Sequence, residues 1–141
     1  MWVAYRANLG TLLRTSDAVG ACMAVPRTPH YRDALARGNT LPGRGCVHWV
    51  APSKIEWLRE QRRRGSQLVA VELAEDAVPL TRAEPTRRRT VVLLGHEHGG
   101  VPPEAAELAD QVVEIPMIGR GTSLNVAVAG SLVLYRLAGL M

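Results

Sequence analysis

The chain contains no phenylalanine, and three tryptophans and three tyrosines are its whole aromatic complement. So few rings do not furnish an exposed platform on which successive bases could stack. Lysine is almost missing too: of 17 basic residues only Lys54 is a lysine. No run reaches the ~18 uninterrupted apolar residues of a membrane-spanning helix. No charged stretch followed by an apolar one opens the chain, as a secretion signal would. The two cysteines, Cys22 and Cys46, form no CxxC pair. Read as two isolated thiols, they point to a reducing compartment and so to the cytoplasm. Neither a Walker loop nor a GxGxxG fingerprint occurs, which disfavours nucleotide hydrolysis and nicotinamide chemistry. No internal repeat, low-complexity tract or linker interrupts the sequence.

What is present is arginine. The net charge is +4 and the sequence pI about 9.7. The planar guanidinium fork suits phosphate better than a lysine ammonium does. Two clusters stand out, Arg62-Arg63-Arg64 and Arg87-Arg88-Arg89. A solvated basic face explains each cluster as well as a nucleic-acid footprint does. At 141 residues the chain fits one domain, 1–141, with enough length to bury a core unaided.

Short apolar runs alternate with helix-like stretches. Strands are expected at 2–5, 22–25, 46–50, 67–73, 90–94 and 111–115. Helices are expected from Asn8, as N-cap, to Gly20; over 31–37; from Ser53 to Gly65; from Pro102 to Ala109; and from Ser123 to Leu137. Residues 74–89 read as a polar loop. This alternation predicts an α/β fold with a mostly parallel sheet and helices on both faces. The last helix is apolar around most of its circumference, through Val126, Val128, Leu132, Val133, Leu134 and Leu137. Such a helix is buried all round, either under another part of the chain or in a homodimer interface. The commonness of two-fold dimers favours the second.

Three segments collect polar and glycine residues where strands end and helices start: NLGTLLRTSDAVG (8–20), LLGHEHGGVPPE (93–104) and EIPMIGRGTSLNVAVAGSLVLY (114–135). Ligands bind at the carboxyl ends of strands in open α/β sheets. Arg14, one turn after Gly10, is expected to lean back over that glycine toward the helix N-terminus and Asn8, a plausible phosphate site. The alternative is a surface Arg14 paired with Asp17 or Asp33. His96-Glu97-His98 tempts a metal reading, but HEH is not HExxH and the two histidines alternate in direction; no metal is expected. Gly95, Gly99 and Gly100 suggest instead that a ligand approaches the backbone closely, with Glu97 at a pocket mouth. Ser123 needs only its expected capping role. Asn125, a polar amide opening an apolar helix, needs a partner.

The three segments, in this order, resemble the motifs of the SpoU class of the SPOUT superfamily, RNA ribose 2′-O-methyltransferases that use S-adenosylmethionine. The first motif is matched by Asn8, Gly10, Arg14, Thr15, Asp17, Ala18 and Gly20. The second is matched by Gly95, Glu97 and Gly100. The third is matched by Ile115, Pro116, Met117, Gly119, Ser123, Leu124, Asn125, Val126, Val128 and Ala129. Within the class, ADQVVEIPMIG most resembles the tRNA guanosine 2′-O-methyltransferases. Ala127 departs from the motif's usual serine, and only seven residues precede Asn8.

The resemblance implies a C-terminal deep trefoil knot. It implies that backbone around Gly95, Ile115, Met117, Gly119 and Leu124 holds S-adenosylmethionine. Asn8, Arg14, Glu97, Ser123 and Asn125 become the catalytic set. Arg14, which stays protonated, would bind the adjacent phosphate and stabilise the developing alkoxide; the others would position it and the ribose. The apolar last helix would join two subunits, each site drawing on both. The partner implied is RNA, tRNA ahead of rRNA. No appended RNA-binding domain is expected, which would leave the arginine clusters and the dimer surface as its main contacts. A non-catalytic RNA-binding relative is the other reading of the same fold.

Overall fold

The structure is a computed structural model that describes residues 1–141. In chain order the elements are α1 (Arg6–Ala18), β1 (Met23–Pro26), α2 (Pro29–Gly38), β2 (Val47–Val50), α3 (Lys54–Arg63) and β3 (Gln67–Val71). Then follow β4 (Val78–Pro79), a 3-10 turn (Leu80–Arg82), β5 (Thr90–Leu93), α4 (Pro103–Ala106), β6 (Gln111–Glu114) and α5 (Val126–Leu137). Every strand pairing is parallel: β1 with β2 on one side, and the order β4-β6-β3-β5 on the other.

The expected first strand is an extended segment rather than a strand. It bridges the two sheets, with Trp2 N–H donating to Leu94 O at 2.8 Å and the Met1 amine donating to Ala24 O at 3.0 Å. The polar loop expected over 74–89 is also corrected. Val78–Pro79 adds a short edge strand to β6. Its proline is tolerated there because an edge strand can spare a donor.

Strand β3 is interior and shows how the layers form. Side chains alternate across a strand. Leu68 and Ala70 pack with Leu58 of α3 and Ala105 of α4, while Val69 packs with Val113 of β6 and Val133 and Leu137 of α5. Helices therefore cover both faces, as the unbroken apolar strands require. A third cluster joins Leu9, Leu12 and Leu13 of α1 to Met23 and Val25 of β1 and Ala34 and Leu35 of α2.

Two glycines set helix spacing. A Cβ on Gly10 would lie 2.8 Å from Gly38 O, so the backbones of α1 and α2 touch there. A Cβ on Gly130 would lie 2.7 Å from Leu94 Cδ1 and 2.8 Å from Leu12 Cδ2, which fixes α5 against α1. Thr15 and Ser131 hydroxyls meet at 2.9 Å across the same crossing.

Helix α5 is not buried all round. Val128 is 49% and Tyr135 36% exposed, beside exposed Met117, Ile118 and Leu124 in the preceding loop. The two cysteines are also not separate thiols: Cys22 and Cys46 form a disulfide, with Cα atoms 4.7 Å apart. Strand register explains the proximity, because Met23 pairs with Val47 and so places the preceding residues side by side. No helix is long and apolar enough to cross a membrane.

Candidate functional site

The carboxyl ends of β3, β5 and β6 surround a cavity of about 470 Å³, within the range of small-molecule sites. Apolar walls come from Val71, Leu94, Ile115, Met117, Leu124 and Val126; polar groups come from Asn8, Glu72, Glu97, His98, Ser123 and Asn125.

The polar groups form a chain. Glu97 accepts hydrogen bonds from Ala4 N–H at 3.0 Å, Tyr5 N–H at 2.9 Å and Asn8 Nδ2 at 2.9 Å. Asn8 Oδ1 accepts from Asn125 Nδ2 at 3.0 Å. Asn125 Oδ1 in turn accepts from Ala127 N–H at 2.9 Å and Val128 N–H at 3.3 Å. The direction is forced. Two backbone donors require the Asn125 oxygen, so its amide nitrogen faces Asn8; a carboxylate can only accept, so Asn8 turns its nitrogen to Glu97. One residue from each motif is thereby locked to the next.

This chain corrects two expected caps. Helix α1 starts at Arg6, before Asn8, and Tyr5 at its cap makes no side-chain bond. Glu97, far along the sequence, takes the amides at that end, where a negative charge is favoured. Asn8 is instead inside the helix and buried. At α5 the cap is Asn125, not Ser123. Ser123 lines the cavity as an exposed residue of the loop. Burial of Glu97 raises its pKa, but the bonds from Asn8, Ala4 and Tyr5 outweigh burial and hold the carboxyl at about 2.

Gly95 lines the cavity, yet the close approach it permits is internal. A Cβ there would collide with the backbone of Gly100 and Val101. His96 and Gly100 form an antiparallel bridge that folds the loop back, and Glu72 accepts from Val101 N–H at 3.0 Å to hold it. Gly119 does not line the cavity, and space around it is open. The His96 and His98 ring centroids lie 5.7 Å apart, and His98 Nε2 meets the Tyr5 hydroxyl at 2.5 Å.

Arg14 is not brought to this cavity. Gly10, expected to leave room for it, is occupied by the approach of Gly38. Arg14 is exposed, and its Nη1 donates to Thr40 O at 3.1 Å and Thr40 Oγ1 at 3.0 Å. Asp33 pairs with Arg6 and Arg37 instead. Arg14 borders a second hollow of about 490 Å³, with Arg6, Gly10, Thr11, Thr40 and Tyr135. Of the arginine clusters, the first is paired: Arg62 with Asp110, and Arg63 and Arg64 with Glu60. In the second, Arg88 reaches Gln67 Oε1 at 3.5 Å, while the Arg87 and Arg89 side chains make no bond.

Glu72, Tyr5 and His98 are cavity residues that the motif reading did not single out. For Glu72 a signal existed: it is the first charged residue after the apolar run of the central strand, where ligands bind.

The sequence profile of the SpoU rRNA Methylase family matches residues 2–135. The chain belongs to the SpoU family. It is 36% identical over 132 residues to the tRNA (guanosine(18)-2′-O)-methyltransferase of Aquifex aeolicus, covering 91% of this chain and 61% of that one. The structure of the A. aeolicus TrmH/SpoU tRNA modifying enzyme superposes with a TM-score of 0.78 at 29% identity, covering 99% of this chain and 71% of that one. An AdoMet-bound rRNA methyltransferase from Sinorhizobium meliloti gives a TM-score of 0.78 at 29% identity, covering 96% and 52%. The SpoU match spans the three motifs that build the cavity.

Proposed function

We propose that this SpoU chain transfers a methyl group from S-adenosylmethionine to a ribose 2′-hydroxyl of a structured RNA, with tRNA ahead of rRNA. The observation that carries the proposal is the Glu97–Asn8–Asn125 chain at one end of the cavity. It is a rigid polar edge facing apolar walls. The likeness to the A. aeolicus tRNA enzyme favours tRNA, and the chain covers 61% of that relative's length. Residues 1–141 are read as one methyltransferase domain working in the cytoplasm, a placement that rests on the RNA substrate, because the Cys22–Cys46 disulfide removes the free-thiol argument.

The cavity fits the cofactor. Ile115, Met117 and Leu124 offer apolar contact for a flat heterocycle, and backbone at Gly95 borders the same cavity. Glu72 and Glu114 bring carboxylates suited to a cationic ligand. The cofactor supplies a methyl carbon bound to a positively charged sulfur. When bound, it would give up that carbon to the ribose oxygen, the carbon–sulfur bond breaking with its electron pair left on sulfur and the hydroxyl proton released to water. The chain's own task is to hold the oxygen about 3 Å from the carbon and in line. Asn8, Glu97, Ser123 and Asn125 position the ribose.

Arg14 serves a second copy in this reading. It lies in its own hollow beside Tyr135 of α5. The apolar side chains left exposed on and before α5, Leu124, Val128 and Tyr135 among them, are the surface a partner would cover. A homodimer through α5 would bring Arg14 of one protomer to the cavity of the other, where it would bind phosphate and stabilise the alkoxide. The deep trefoil knot belongs to the same proposal; the 95–101 loop and the 115–125 loop both border the cavity.

Calorimetry of S-adenosylmethionine binding tests the cavity. The expected result is one cofactor per chain for the wild type and loss of binding for Leu124→Glu, which puts a carboxylate on an apolar wall. Absence of binding by the wild type would overturn the proposal.

A further inference from the structure

Cys22 and Cys46 stand just before the amino ends of β1 and β2, and neither lines the cavity described above. There Cys22, Cys46 and His48 are all exposed, and their ligand atoms lie within 4.8 Å of one another. The register produces this cluster. Met23 pairs with Val47 and Ala24 with His48, so Cys22 precedes β1 just where Cys46 precedes β2. Cys46 and His48 are two residues apart and share a sheet face.

The methyltransferase reading uses none of the three. The disulfide accounts for both sulfurs, but not for the imidazole beside them. His48 Nε2 is 4.0 Å from Cys46 Sγ. Two thiolates and one imidazole are a zinc-type ligand set, and a tetrahedral zinc places a sulfur and a nitrogen ligand about 3.6 Å apart, from bonds of about 2.3 and 2.1 Å. His48 therefore already stands near ligand distance from Cys46. Opening the disulfide lets the two sulfurs separate to about 3.8 Å, the tetrahedral edge for two thiolates.

We propose that Cys22, Cys46 and His48 form a redox-gated site for a zinc-class divalent cation, with water as fourth ligand. The oxidised state is the disulfide, which binds no cation. A dithiol reductant opens it: the dithiol becomes a disulfide, and Cys22 and Cys46 become thiols. The cation then binds both sulfurs as thiolates and His48 as neutral imidazole, releasing two protons. Either linkage closes the segment between the two cysteines, which contains α2, Gly38 and Thr40. Gly38 touches α1 at Gly10, and Thr40 holds Arg14. The site thus braces the segment on which Arg14 rests.

The test is titration with cobalt(II) after reduction and removal of the reductant under inert gas. The expected result is one cobalt per chain, with thiolate charge-transfer absorption and the visible bands of tetrahedral cobalt, bleached by added zinc. The disulfide form should show none of these bands. Cys22→Ser and Cys46→Ser should each abolish them with unchanged far-ultraviolet circular dichroism. His48→Ala should weaken binding by at least about tenfold, as loss of even an outer-shell partner commonly does. Three results would overturn the proposal: no saturable band in the reduced wild type, equal affinity in His48→Ala, or a Cys22–Cys46 pair that oxidants do not join.

Discussion

Replacing Asn8 by alanine cuts the polar chain at its middle. Two hydrogen bonds disappear, one to the Glu97 carboxylate at 2.9 Å and one from Asn125 at 3.0 Å. A bond to a charged group contributes about 1.5 to 3 kcal/mol and a neutral one about 0.5 to 1.5 kcal/mol. Glu97 keeps two backbone donors, and Asn125 is exposed enough to find water, so the low end of each range applies. The expected cost is about 2 kcal/mol. With a urea slope of about 2 kcal/mol per molar, that lowers the unfolding midpoint by about 1 M. The acid limb gives an independent reading. The Glu97 carboxyl is held at about 2 in the fold against an ordinary value of 4.5. Its contribution is therefore complete above the ordinary value and is lost as pH falls from 4.5 toward 2. Without Asn8 the folded pKa rises toward the ordinary value, and the stability lost over this window shrinks. Urea titrations of both proteins at neutral pH and across the acid range measure both effects. An Asn8→Ala midpoint equal to the wild type, with an unchanged acid limb, would refute the polar chain.

Asn125→Ala should cost about 1 kcal/mol through the lost cap of α5, read as a lower thermal midpoint; Ser123→Ala should leave that midpoint in place. Gly10→Ala should destabilise by about 1 to 3 kcal/mol, because its methyl meets backbone rather than a movable side chain, and denaturant unfolding checks it. Arg14→Ala removes only an exposed side chain and its bonds to Thr40, so stability should hold within about 0.5 kcal/mol while methyl transfer falls about 100-fold or more. If Arg14 serves the partner's cavity, mixing Arg14→Ala with cavity-blocked Ile115→Glu protein, whose change lies on the cavity wall and off the exposed α5 surface, should restore part of the lost turnover. No restoration in a re-equilibrated mixture would place Arg14 in its own protomer's chemistry.

Much of the fold was legible in the sequence. Short apolar runs broken by glycine and proline marked five of the six strands, and the full apolar character of β3 foretold helices on both faces. Asn125 was legible as a problem: a polar amide before an apolar helix had to have partners, and the structure supplies three. Two of the failures share a cause. The start of α1 is capped by Glu97 and the end of β6 accepts Val78–Pro79, and both contacts come from distant sequence. Local capping rules therefore place Asn8 at a helix end it does not occupy, whereas at α5 the error is local, Asn125 rather than Ser123 taking the cap. Gly10, lacking a side chain, reads as room for Arg14, whereas the backbone at Gly38 fills that space. The disulfide is not legible in the sequence because cysteine spacing carries no information on strand register.

The most direct test of the account is methyl transfer from labelled S-adenosylmethionine to unmodified RNA, separated by size and digested to nucleosides. The account predicts a 2′-O-methylated nucleoside in the tRNA fraction. Label in the rRNA fraction alone would correct the substrate, and label on a base rather than a ribose would contradict the chemistry. No transfer from protein that binds the cofactor, beside an active control enzyme, would contradict the central claim and leave an RNA-binding relative without catalysis.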